Sequence, residues 1–462
     1  MALIDLSATD AQFLHLESRD TPMHIASVQI LELAAEQTPE QFVDELRKRV
    51  FARRAAVPYL TRTLNPLTFR WDETGTFDPT RHIRLARVAA PGDRAALCAS
   101  IAKLHEVPLR RDVPLWDIVV LAGLEEGRVA LYNRVHHASV DGAAGQLAIE
   151  AITDAQPISD TDLSGRATAQ PQSSQPTQWP DFAKQWTAAL EALQHMAHPA
   201  AGLTHFNMPA PATRLNRSVG NKRTYATGEL KLADVKRVAK AHQASLNEVF
   251  LAVCGGGLRR YLERLGELPG ATLQASVPIA LRSASDTTFN NQVSATRVAV
   301  GSHIADPQAR LSFVREASHF AKQMSATLQP FNTPTNAATS APLQQWMASQ
   351  FHNAAAAGLT PAPGVNLVIS NVRGPVEPRY FAGARMTSHH PVSIPAHGMG
   401  VNITVQSYSD HLYMGITACA KALPDAHLLA GDIMAEWQLL APPEVVLDPV
   451  PEPGEPEMSQ VA

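Results

Sequence analysis

His136 and His137, followed by Asp141-Gly142, are the residues in this chain best suited to chemistry. An imidazole titrates near neutral pH, so it can take a proton from a hydroxyl and return it later. His-x-x-x-Asp alone recurs by chance in a chain with 18 histidines, whereas the full His-His-x-x-x-Asp-Gly string is far rarer. Three readings are open. The histidines are satisfied core or rim residues with Asp141 as a helix N-cap. Or His, His and Asp hold a metal, although neighbouring strand residues point to opposite faces and cannot easily share one ion. Or one histidine is a general base in a cleft, with Asp141 orienting it or pairing with an arginine and Gly142 supplying a tight turn.

The surrounding pattern says what must position these residues. Val129, Leu131, Asn133 and Val135 alternate with Ala130, Tyr132 and Arg134, a strand that runs into the histidines. A helical run starts near Ala143. Further strand-like runs occur at Asp117–Ala122, Arg128–Val135, Leu273–Ile279, Val293–Val300, Asn366–Ser370, Val401–Ser407 and His411–Thr417. Glu125-Glu126-Gly127 and Ser409-Asp410 are the expected hairpin turns. Capping boxes at Thr38–Gln41 and Ser245–Glu248 open helices. The second helix runs to about Arg264, and Gly255, Gly256 and Gly257 inside it predict close packing or a kink. Irregular alternation of strands and helices, with hairpins, reads as mixed α/β with sheets that are not purely parallel.

The 462 residues suggest two to three domains. Net charge is −4 and 45% of residues are hydrophobic, which argues against a basic nucleic-acid binder and against a mostly disordered chain. Cys98, Cys254 and Cys419 are far apart and support neither a disulfide framework nor a thiolate zinc site; a reducing setting fits. The start has no secretory pattern, and no apolar run is long enough to span a bilayer. The composition divides the chain into residues 1–153, a polar Ser/Thr/Gln/Pro-rich linker at 154–222 with a helical stretch near Asp181–Ala197, residues 223–440, and a Pro/Glu-rich tail at 441–462. Arg47-Lys48-Arg49 with Arg53-Arg54 is either the solvated face of a helix or a contact for phosphate groups or an anionic membrane.

The HHxxxDG string resembles that of the acyl-CoA-dependent acyltransferases of the chloramphenicol acetyltransferase and condensation-domain superfamily. More narrowly, the chain resembles the bacterial wax ester synthase/diacylglycerol acyltransferase family nearly end to end. The likeness rests on Ser7–Phe13 with Glu17 and Pro22-Met23-His24, on Pro114-Leu115-Trp116, and on Asn247–Ala252. It continues through Val277–Arg282 with Asn290-Asn291-Gln292, Ser370–Pro375, Gly400–Ile403 and Ser407-Tyr408. The Ala/Pro-rich Asn332–Pro363 departs from the family pattern.

The resemblance implies two chloramphenicol acetyltransferase-like domains of α/β class with an active-site channel between them. It implies acyl transfer from CoA to a fatty alcohol or diacylglycerol, without an acyl-enzyme, a metal or a cofactor. His137 is then the base and His136 a structural helper. Asn291 is the candidate oxyanion donor, or else a turn-capping residue. Arg282, Arg373 and Arg134 are the candidate partners of Asp141. Trp116 and Glu17 are candidate substrate contacts, with a packing residue and an exposed loop acid as the bland readings. The expected location is cytoplasmic, with peripheral contact to the inner face of a membrane or a lipid droplet. A smaller alcohol or amine acceptor on the same scaffold, or a non-catalytic lipid-binding role, are the alternatives.

Overall fold

A computed structural model describes residues 3–157, 209–280, 293–328, 350, 353–358 and 364–441. In chain order the elements are β1 (Leu3–Ile4), α1 (Ala8–Leu16), β2 (His24–Glu32), α2 (Pro39–Ala52), β3 (Arg62–Asn65), β4 (Arg70–Glu73), α3 (Pro79–His82), β5 (Ile83–Arg87), α4 (Arg94–His105), β6 (Trp116–Ala122), β7 (Val129–His136) and α5 (Gly142–Ile152). Then come β8 (Arg223–Lys231), α6 (Leu232–Ala241), α7 (Leu246–Arg264), β9 (Gln274–Ala280), β10 (Val293–Ala299), α8 (Pro307–Leu328), β11 (Leu367–Val372), β12 (Tyr380–Phe381), β13 (Ala384–Val392), β14 (Val401–Tyr408), β15 (His411–Cys419) and α9 (Ala426–Leu440).

Two six-stranded mixed sheets carry the molecule. The first has the order β12-β13-β2-β7-β6-β5, and the second β10-β9-β11-β14-β15-β8. In the first sheet only β5 and β6 run parallel; in the second, β11 runs parallel to both β9 and β14. A third sheet, β1-β4-β3, is small and lies beside α1. The expected hairpins form. β6 pairs antiparallel with β7 and β14 with β15, each across a turn with a left-handed non-glycine residue, Glu126 and Ser409.

The first sheet packs α2 and α5 on one face, around Phe42, Leu46, Trp116, Leu131 and Ala148. On its other face lie α4 and Tyr225 of the second sheet. That second sheet buries its own larger core against α7, α8 and α9. The capping boxes at Thr38 and Ser245 are both present. The three glycines of α7 mark close approach. A Cβ added at Gly255 would lie 1.9 Å from the carbonyl oxygen of Val300, and one at Gly257 2.4 Å from Ile433.

The two sheets meet directly. Tyr225 donates its hydroxyl to Pro391 O at 3.0 Å, and a Cβ at Gly415 would lie 1.9 Å from that same oxygen. The composition boundary at residue 223 does not separate them. β12 and β13 come from the C-terminal half yet complete the first sheet, with β13 antiparallel to β2. The expected helical stretch near Asp181–Ala197, the tail beyond residue 441 and most of Asn332–Pro363 lie outside the described residues.

Candidate active site

β7 ends by handing its two histidines to different neighbours. His136 N–H is donated to Leu115 O at 2.9 Å, and His137 N–H to Met23 O at 2.8 Å. The turn closes with Ser139 N–H on His136 O at 2.9 Å. Asp141 then caps α5, accepting the Ala144 N–H at 2.8 Å. Asp141 is buried, so its carboxylate serves the helix from inside the protein.

The alternation of strand side chains separates the two rings. His136 is fully buried, and its Nδ1 accepts the Ala138 N–H at 3.1 Å. The ring hydrogen therefore sits on Nε2, which faces Glu17 Oε1 at 3.3 Å. His137 is only partly buried, and its ring lies flat against Phe13. The two imidazoles do not converge, and among the described residues no group of three or more His, Cys, Asp or Glu is placed to hold a metal ion.

Glu17 is a buried anchor and not an exposed loop acid. It accepts the Met23 N–H at 3.1 Å and pairs with Arg111 at 2.8 Å. Burial alone would raise its pKa, but His136, Arg111 and the Met23 amide together outweigh burial and hold it at about 2. Because Met23 O in turn receives the His137 amide, Glu17 anchors the segment that holds the His137 backbone.

Behind this turn lies a buried row of imidazoles. His24 pairs with His136 across the strands and packs edge-on against His105, with ring centroids 4.4 Å apart. His105 bonds Tyr132 Oη at 2.8 Å and Ser393 O at 2.9 Å. Burial, reinforced by Arg223, pushes His105 down to about 3, and burial likewise pushes His24 well below the usual range.

On the opposite face a polar network joins both sheets to α5. His389 of β13 lies 3.2 Å from the amide nitrogens of Gln29 and of Gln406, and Gln406 donates to Gln146 Oε1 of α5 at 3.2 Å. The start of α5 also abuts the second sheet: a Cβ at Gly142 would touch Val372 at 3.4 Å. The HHxxxDG turn thus stands where the two halves meet.

Several expectations change. Arg134 does not serve Asp141; it forms a two-pronged pair with Asp117 at 2.6 and 2.9 Å and donates to Leu104 O. Arg373 is exposed, while Arg282 and Asn291 lie outside the described residues. Among the described residues Trp116 takes the packing reading. It is buried in the core, gives its indole N–H to Leu60 O at 3.1 Å and stacks on His82. The basic cluster of α2 is mostly used internally. Arg49 and Arg53 clamp the buried Asp154, Arg47 donates to Ile83 O, and Arg54 lies over the Phe51 ring.

Sequence reasoning missed Phe13 as a neighbour of His137, Arg111 as the partner of Glu17, and the Gln29–His389–Gln406–Gln146 network. Ser7–Phe13 and the Glu17–His24 stretch were the available signals for the first two.

The fold is the chloramphenicol acetyltransferase-like one. The wax ester synthase/diacylglycerol acyltransferase from Marinobacter aquaeolei VT8 superposes with a TM-score of 0.71 at 24% identity, over 95% of this chain and 98% of that one. A mutant starter condensation domain of rhizomide synthetase, in complex with C8-CoA and Leu-SNAC, superposes with a TM-score of 0.56 at 14% identity, over 95% of this chain and 94% of that one. Residues 6–250 match the wax ester synthase/diacylglycerol acyltransferase catalytic domain, and residues 289–441 match the C-terminal domain of the same family. O-acyltransferase WSD of Acinetobacter baylyi is 30% identical over 454 residues, 94% of this chain and 96% of that protein. This chain belongs to the wax ester synthase/diacylglycerol acyltransferase family, and is an enzyme of the acyltransferase class. Among the described residues no helix is long and apolar enough to cross a membrane.

Proposed function

We propose that this enzyme transfers a long acyl chain from CoA to the hydroxyl of a fatty alcohol or diacylglycerol, releasing CoA and a wax ester or triacylglycerol. The observation that carries this reading is the placement of His137. It is a partly buried imidazole on a rigid strand end, at the meeting of the two sheets. His136 is fully buried, takes the Ala138 N–H on Nδ1 and faces Glu17 with Nε2, so it serves the scaffold.

In this reading His137 takes the hydroxyl proton as the alcohol oxygen attacks the thioester carbonyl carbon. The new C–O bond gives a tetrahedral oxyanion. The C–S bond then breaks, and the imidazolium returns its proton to the departing CoA thiolate. Proton and charge balance, and neither an acyl-enzyme nor a redox or metal cofactor takes part. Asn291 remains the oxyanion donor we assign, because a neutral amide can point an N–H at developing charge. Both product classes are insoluble in water, which supports peripheral contact with a membrane or lipid-droplet surface.

The test is thiol release from palmitoyl-CoA with hexadecanol or diacylglycerol, in wild type and His137→Ala. Alcohol-dependent release should fall by about 10²–10⁴ in the variant while its unfolding midpoint holds. The ratio of the two acceptors sets wax ester against triacylglycerol synthesis, and added chelator should leave the rate unchanged. Presenting hexadecanol in vesicles and floating them reads the peripheral contact. A folded wild type that releases no thiol on adding either alcohol overturns the lipid acceptor.

A further inference from the structure

We propose that Phe13 is a positioning residue for His137, fixing the plane of the base imidazole from the α1 side. This rests on His137 being the base. The two rings are nearly parallel, with centroids 4.1 Å apart and planes inclined by 9°. An imidazole turns about a broad, soft torsion at its outer side-chain bond. A flat aromatic neighbour at stacking distance narrows that torsion to one orientation. It also offers an electron-rich face to the imidazolium formed when the alcohol proton is taken.

Phe13 is itself held. Ser7 caps α1 by accepting the Asp10 N–H at 3.1 Å. The ring packs against an apolar cluster containing Leu14, Leu64, Trp71, Leu115 and Ala138. Ala138 follows the base directly, and Leu115 O receives the His136 amide at 2.9 Å. The small sheet and α1 therefore grip both the backbone of the histidine turn and the ring of His137. This gives the Ser7–Phe13 run a task that the acyl-transfer steps do not otherwise require of it.

The full-length protein is compared with Phe13→Leu, which keeps apolar bulk, and Phe13→Tyr, which keeps the aromatic face. Phe13→Leu should lower kcat roughly three- to tenfold and leave KM for palmitoyl-CoA unchanged. Phe13→Tyr should restore kcat. With ¹³C-labelled histidine, the His137 ring resonance, assigned by its loss in His137→Ala, should shift downfield in Phe13→Leu and stay in place in Phe13→Tyr. If Phe13→Leu does not fold, Phe13→Met replaces it. A resonance unmoved by loss of the aromatic face, or a moved resonance with wild-type kcat, overturns the proposal. Alcohol-dependent release that survives His137→Ala instead overturns the base assignment, so the two failures are distinguishable.

Discussion

The two six-stranded sheets bury different kinds of side chain. The second packs its helix-covered face as an apolar core against α7, α8 and α9. The main charged exception there is the buried Arg310–Glu436 pair, which Arg260 joins from the edge. Its other face carries Asn402, Thr404 and Gln406. The first hides polar groups on both faces, with His24, His105, His136 and the Arg134–Asp117 pair on one, and Gln29, Asn133 and His389 on the other. A polar interior costs stability unless every group is satisfied, whereas apolar burial stabilises without directional demands. The helix-covered side of the second unit thus acts as a scaffold, while its other face lends Gln406 to the network beside α5. The first accepts a costlier interior that fixes the histidine turn from several directions.

Three experiments sharpen this contrast. The largest effect should come from Glu436→Gln in the scaffold. It leaves the Arg310 guanidinium buried without its counter-charge and should cost about 3–5 kcal/mol in urea unfolding, with kcat per folded molecule unchanged. A loss of kcat in the folded fraction would contradict the division of labour.

Acidification should act on the first unit. His105 and His389 are neutral in the fold, lowered from 6.5 to about 3 by burial, but protonate once unfolded. The unfolded chain then binds more protons, so stability falls as pH drops below about 6.5 and goes on falling towards 3. At pH 5 each group should cost about 2 kcal/mol relative to neutral pH, read as a lower unfolding midpoint. Equal midpoints at pH 5 and pH 7 would refute it.

The smallest effect is expected from Glu17→Gln. The amide oxygen can still accept the Met23 N–H, but the charged pairing with Arg111 is gone and the carboxylate no longer faces His136 Nε2. A roughly fivefold drop in kcat should follow, with an unfolding midpoint lowered at neutral pH, though less than by Glu436→Gln because Arg111 is half exposed. Wild-type kcat would show that the anchor does not reach the base.

Much of this was legible in the sequence, for identifiable reasons. β6, β7, β14 and β15 announce themselves by alternation and hairpin turns, and α2 and α7 by capping boxes, all local signals. β2 and β13 were missed. Ala384–Val392 carries Ser, His and Pro where a strand signal wants β-branched and aromatic residues, and its partner β2 lies some 360 residues away in sequence. The histidine motif was legible as a string. What surrounds it was not, because Phe13, Glu17, Arg111 and Gln406 are brought together only by tertiary packing. Trp116 shows how a residue beside a motif can fill the core.

The late arrival of β13 also sets an order of assembly during translation. β2, β6 and β7 can pair as soon as residue 136 has left the ribosome, but the free edge of β2 stays open until Val392 is made. At about 5–20 residues per second the wait is roughly 10–50 s, long enough for an exposed strand edge to recruit another chain. A gene cut near residue 157 would yield a first fragment that cannot close its own sheet, so the two pieces should remain soluble only when made together.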